Sequence, residues 1–214
     1  MTARAGAATV GLLLMFGLAS PAAPVPTAVA LRPPDVPVAT TAQSSGDRDP
    51  ESSAARDRFY VRDKHHYTSP WYAGAHRKMI PFGCTRAPYY PPSPRCKRDR
   101  GFHHGLDIAM PCGNRLNAGM AGWVVRPLSP GALGSAYGRH AFRLRNHRLG
   151  VDVVIGHVRK VYVAPGDRVE RGERIARASD AAAPDGCHLH FEVRPLGGGY
   201  LDAIRPGEYL RLHR

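Results

Sequence analysis

The sequence predicts a mainly β domain, built as an antiparallel sheet, over its C-terminal half. Three observations carry this expectation. From Gly101 onward the apolar residues gather in short runs rich in β-branched and aromatic side chains: Trp123–Val125, Ala141–Arg145, Val151–Val158, Lys160–Ala164 and His188–Val193. Gly, Pro, Asn and Asp turn signals separate these runs. No long segment of this half repeats its apolar residues with a period near 3.6. The last run is the most informative. Successive strand residues point to opposite sides, so His188, His190 and Glu192 share one face and Leu189, Phe191 and Val193 the other. An imidazole face backed by an apolar face suits the wall of a site resting on a core.

The preceding segments differ in character. Arg4 leads into an apolar stretch, Ala5–Ala19, that contains Leu12–Phe16. It is short for a membrane span and has the basic-then-apolar order of a secretory signal peptide, so residues 1–30 are read as one. Ala28-Val29-Ala30 offers a cleavage site, and an uncleaved anchor is the alternative. Residues 31–56, rich in Pro, Ala, Ser, Thr and Asp, read as a flexible linker. Residues 57–100 set Phe59, Tyr60, Tyr67, Trp71, Tyr72, Tyr89 and Tyr90 among basic residues and prolines. An irregular extension packed over the next domain is the first expectation for them, and a sugar or single-stranded nucleic acid surface the second. Pro88, Pro91, Pro92 and Pro94 make the stretch between Cys84 and Cys96 a stiff, non-helical loop. The main domain is expected over residues 101–210.

The 214-residue chain carries a formal charge of +13. Removing residues 1–30 removes only Arg4, which leaves 29 basic against 17 acidic side chains, or +12. Such a charge attracts polyanions or serves solubility. No nucleic-acid-binding motif is present, so acidic wall polymers and anionic membrane are the nearer partners of an exported protein. Four cysteines in an exported chain favour disulfides, with three connectivities open. Within Val161–Ala176 the Pro-Gly-Asp and Arg-Gly-Glu turns resemble the hairpins of biotinyl or lipoyl carriers, but no modifiable Lys sits on a tight turn. A structural hairpin is expected there.

A second string, His103-His104-Gly105-Leu106-Asp107, reads as a strand whose i, i+4 spacing puts His103 and Asp107 on one side and turns His104 away with Leu106. Two imidazoles and a carboxylate form a three-ligand set for a catalytic zinc with one open position. No His-Glu-x-x-His helix motif occurs. Ordered along the chain are His103 to Asp107, then His157 in Val153-Val154-Ile155-Gly156-His157-Val158, then His188 to His190. This order and spacing resemble the lysostaphin/LytM-type zinc metallopeptidases, which cut peptide cross-links in bacterial cell walls. The resemblance extends to Gly105–Ala109, Ala164-Pro165-Gly166-Asp167 and His190–Val193, over roughly residues 100 to 210.

The resemblance implies a lysostaphin/LytM-like antiparallel groove, Zn2+ held by His103, Asp107 and His190, and His157 and His188 as the catalytic pair. Which of these two is the base stays open. It implies a secreted or wall-associated endopeptidase acting on peptidoglycan peptides. A non-catalytic wall-binding or regulatory module of the same fold is the alternative, and a polyanion-binding protein with incidental histidines is a third reading. With both motif strands lining one site, Cys112 and Cys187 become neighbours, so the pairs expected are Cys112–Cys187 and Cys84–Cys96. Cysteine ligation of zinc is disfavoured, since no Cys-x-x-Cys occurs. Glu192 reads as a support for the ligands or as a strand-end charge. His65, His66, His76, His140, His147 and His213 have no partner at ligand spacing, and His104 trades places with His103 only if the register slips by one. Two departures stand out. Cys187 replaces a frequent Pro, and Gly156 replaces a frequent aromatic, a change expected to widen the groove.

Overall fold

The computed structural model describes residues 58–214. The expected signal peptide and linker lie outside the described residues. Strands β1 (His66–Ser69) and β2 (Tyr72–Lys78) come first, then β3 (Gly83–Thr85) and β4 (Gly101–His103), which pair only with each other. There follow β5 (Leu106–Ala109), β6 (Arg115–Asn117), β7 (Gly122–Val124), β8 (Phe142–Asn146) and β9 (Val151–Gly156). The series ends with β10 (Val158–Arg159), β11 (Arg168–Val169), β12 (Arg174–Ala178) and β13 (His188–Pro195), before a single helical turn, α1 (Gly207–Leu210). The fold is thus mainly antiparallel β, as the sequence predicts.

Eleven of these strands form one sheet in the order β10-β12-β6-β2-β5-β13-β9-β8-β7-β11, with β1 on the free side of β2. β11 and β12 lie towards opposite ends of that order, yet only residues 170–173 separate them in the chain. So short a link spans at most roughly 17 Å, so the sheet must curl until its two ends approach. Its concave filling is apolar. Ile108 of β5, Leu144 of β8, Val153 and Ile155 of β9, and Leu189, Phe191 and Val193 of β13 are fully buried there. Trp71 closes this core, edge-on to Phe191 at 4.8 Å between ring centroids, with its indole N–H donating to the Tyr209 carbonyl at 2.8 Å. Full burial of side chains this large stabilises the fold by about 1.5–3 kcal/mol each.

Three segments differ from expectation. Residues 58–65 and 86–100 are largely irregular, but His66–Lys78 form two strands of the main sheet, because Trp71 and Tyr72 fill its core. Lys160–Ala164 is not a strand. Lys160 takes a left-handed φ of +47° that ends β10, and only Tyr162 of the stretch donates to the neighbouring chain, at Ile175. The hairpin over Val161–Ala176 is likewise not a paired unit. β11 joins β7, whereas β12 joins β6 and β10. Both turns are present, but the curl draws the two arms to different ends of the sheet.

Candidate metal centre

β13 lies between β5 and β9, and its register builds the site. His190 stands directly opposite Asp107 on one side and Gly156 on the other, while His188 stands opposite Ala109. Opposed residues of antiparallel neighbours project to the same side, so His188, His190 and Asp107 share the face away from the core. His103 arrives by another route. In a straight strand, positions i and i+4 lie about 13 Å apart, too far to meet one ion. The expected straight strand over His103–Asp107 is in fact broken at His104-Gly105, and β4 and β5 belong to different sheets. That bend folds His103 back over Asp107. Gly105 permits it, because a Cβ there would lie 2.5 Å from His190 Cε1.

Three donor atoms converge as a result. His103 Nε2 lies 3.1 Å from His190 Nδ1 and 3.4 Å from Asp107 Oδ1, and the last two are 2.9 Å apart. A tetrahedral zinc with bonds of about 2.0–2.1 Å spaces its ligand atoms about 3.3 Å apart, so this triangle fits zinc. All three side chains are buried. The outer nitrogens fix the tautomers. His103 Nδ1–H donates to the Pro81 carbonyl at 3.0 Å, and His190 Nε2–H donates to Glu192 Oε2 at 3.2 Å. In its neutral form each ring then turns a lone pair to the triangle. Glu192 is in turn held by Arg194 Nε and by the Tyr137 hydroxyl, the latter at 2.9 Å.

The remaining imidazoles flank the triangle. The rings of His157 and His188 lie 4.5 Å apart, and that of His157 is 5.8 Å from that of His190. His157 Nδ1–H donates to the Ala181 carbonyl at 2.7 Å and His188 Nδ1–H to the Gly186 carbonyl at 2.8 Å. A carbonyl only accepts, so both rings carry their neutral-state proton on Nδ1 and present Nε2 as an acceptor. His188 Nε2 is buried with no hydrogen-bond partner among the described residues, 3.7 Å from Asp107 Oδ2. His157 follows the last residue of β9 at a left-handed φ of +52°. That strained turn is held from both sides. The His157 N–H donates to the Tyr137 carbonyl, and its own carbonyl accepts from the Ser179 N–H and hydroxyl.

Residues 101–203 match the model of peptidase family M23. The domain belongs to that family. The M23 domain resembles the solved structure of LytU, at 27% identity and a TM-score of 0.50, over 63% of this chain and 83% of that one. It shares its fold with the antimicrobial peptidase lysostaphin from Staphylococcus simulans, at 21% identity and a TM-score of 0.52, over 71% of this chain and 55% of lysostaphin.

Electrostatics in this M23 site separate the histidines. Burial, reinforced by His188 and His190, pushes His157 down to about 3 and keeps it neutral. Burial also opposes charge on His190, but the bonds to Asp107 and Glu192 prevail and hold it up at about 9. Burial works against the Asp107 carboxylate too, yet His103 and His188 keep it well below the usual carboxylate range. His103, Asp107, His157, His188 and His190 are therefore brought together, and His104 turns away to pack against Phe102 and Tyr200. Glu192 supports His190. Gly156 stands opposite His190, whose Cβ lies 3.0 Å from where a Cβ of Gly156 would be. Both expected disulfides, Cys84–Cys96 and Cys112–Cys187, are formed. Sequence reasoning missed Tyr137 and Arg194. The alternation His188, His190, Glu192 continues to Arg194 and pointed to it, whereas nothing in the loop sequence around Tyr137 foretells its return to the site.

Proposed function

We propose that this chain is a secreted zinc metalloendopeptidase that hydrolyses peptide bonds of bacterial peptidoglycan. Its metal is held by His103, Asp107 and His190, with His157 and His188 as catalytic residues. The observation that carries this reading is the donor triangle with edges of 2.9, 3.1 and 3.4 Å, flanked by two more imidazoles with their Nε2 atoms available. Zinc, when bound, supplies Lewis acidity that polarises an amide carbonyl and lowers the pKa of water towards about 7. The protein supplies the proton chemistry. With Nδ1–H held by a carbonyl, His157 and His188 each turn Nε2 towards the site, and either takes the proton of the attacking water. That ring then hands the same proton to the departing amine nitrogen as the C–N bond breaks. The fixed Nδ1–H bonds hold both rings in place through this exchange.

Membership of a peptidase family and the fold shared with LytU and lysostaphin support a wall substrate. Retention of all five positions favours the enzyme over a non-catalytic module. No helix among the described residues is long and apolar enough to cross a membrane. The test is digestion of purified wall material by the zinc-loaded protein, with mass analysis of the products. New amino termini are expected on released peptides, and a chelator is expected to abolish them. Intact wall peptides at full zinc occupancy would instead establish the binding-module alternative.

A further inference from the structure

The site face continues past the metal donors. Ala109 lies two residues beyond Asp107 on β5, directly opposite His188 on β13 and Arg77 on β2. His188, Ala109 and Arg77 therefore form one row across three strands, all projecting to one side. At about 5 Å per step, Arg77 starts about 10 Å from His188, the length of roughly three extended residues. The small side chain of Ala109 floors a cavity of about 520 Å3 whose walls include Arg58, Arg77, His66 and His76. Asp180 is the single carboxylate among the lining residues.

Two guanidinium groups line this cavity, and Arg58 also acts on the nearby Asp185 carboxylate. The Phe59 ring is a cation–π partner of both guanidinium groups, its centroid 4.0 Å from Arg77 Cζ and 5.4 Å from Arg58 Cζ. The Nε atom of each is buried with no hydrogen-bond partner among the described residues, a state that buried polar groups rarely keep. Arg58 also approaches the turn that leads into β13. Its Nη1 lies 3.1 Å from where a Cβ of Gly186 would sit, and the Gly186 carbonyl is the group that fixes His188.

We propose that this cavity is a carboxylate-binding subsite, which selects peptides bearing a carboxylate within about three residues of the scissile bond. The proposal rests on the peptidase reading for the word substrate, but not for the binding itself. A paired-oxygen anion suits a guanidinium group, and the cavity is lined by Ala109, which stands opposite His188, and by Cys187, which precedes it.

The test is a set of NMR titrations of the mature, zinc-loaded protein with Ala-Glu-Ala-amide, Ala-Gln-Ala-amide and Ala-Gln-Ala with a free C-terminus. The wild type is expected to bind at least one carboxylate peptide about tenfold more tightly than the neutral one, and the first and third peptides tell a side-chain from a terminal carboxylate. Arg77→Gln and Arg58→Gln should each remove most of that preference at unchanged zinc content, with Arg58→Gln decisive if Arg77→Gln melts early. Equal affinity for all three peptides overturns the proposal, and so does a preference that survives in both variants. Equal affinity together with saturable binding of inorganic phosphate would also overturn it, in favour of a phosphate-bearing polymer. Wall digestion run alongside separates the two claims. Preference without hydrolysis keeps the subsite and removes the peptidase reading, and hydrolysis without preference does the reverse.

Discussion

The five site residues divide into two groups by what their nitrogens and oxygens face. His103, Asp107 and His190 aim at one point, so Asp107→Ala leaves two donors and should lose the zinc measured on the purified protein. His157 and His188 aim their bonded nitrogens at carbonyls and not at the donor triangle. Their alanine variants should keep zinc near one per chain and lose about a hundredfold to ten-thousandfold in turnover. Near-normal hydrolysis by both, or full zinc in Asp107→Ala, would reverse the assignment. Glu192 probes the next layer. It fixes His190 through Nε2–H while bonded to Tyr137 and Arg194. Glu192→Gln removes the charge and keeps the shape, so zinc affinity measured by chelator competition should fall about 10–100-fold. An unchanged affinity would show that Glu192 is only a core charge.

At the scale of elements, two buried arginines tie the loop before Tyr137 to the site strands. Arg143 on β8 donates to the Ser129 and Pro130 carbonyls, and Arg194 on β13 donates to the Gly131 carbonyl. Arg143 is compensated by Asp152 on β9 at 3.0 Å, which also takes Arg145 at 2.7 Å. Asp152→Asn should therefore destabilise the fold by about 3–5 kcal/mol, read from chemical denaturation, because it leaves a buried guanidinium unpaired. Burial alone would raise the Asp152 pKa, but Arg145 and Arg143 lower it below its ordinary value. A depressed carboxylate gives stability that is complete above about pH 4 and is lost as pH falls through the folded-state pKa. The variant should accordingly lose part of the acid dependence of stability that the wild type shows. An identical acid limb in both would remove Asp152 from this role. This level was only partly legible in the sequence. Alternation along β13 was readable because one face is apolar and the other polar. The break at Gly105, the end of β10 at Lys160 and the entry of β2 into the main sheet were not, since each depends on partners far away in the chain. Gly105 yields to the His190 ring, and Tyr72 on β2 pairs with Leu116 on β6.

Across the whole molecule the two disulfides act on different lengths of chain. Cys84–Cys96 closes a separation of 12 residues between β3 and β4, and Cys112–Cys187 closes one of 75. Constraining the unfolded chain contributes about 3 kcal/mol for the shorter loop and about 4.5 kcal/mol for the longer one. Position widens the difference. Cys112 lies three residues past β5 and Cys187 directly precedes β13, so the longer link clamps together the strands that carry Asp107 and His190. The shorter link holds the loop that sets Tyr90 against His103, at 5.0 Å between ring centroids. His103 itself is kept by its pairing with Gly83 and its bond to the Pro81 carbonyl. A Cys112→Ser/Cys187→Ser double variant should therefore melt at a lower temperature and lose zinc at chelator concentrations that the wild type withstands. Cys84→Ser/Cys96→Ser should melt lower by a smaller margin and keep its zinc. Melting curves and zinc content of the two variants measure this together. If the first variant holds zinc as firmly as the wild type, the strand ladder alone keeps the donors in place. The link then stabilises the fold without serving the site.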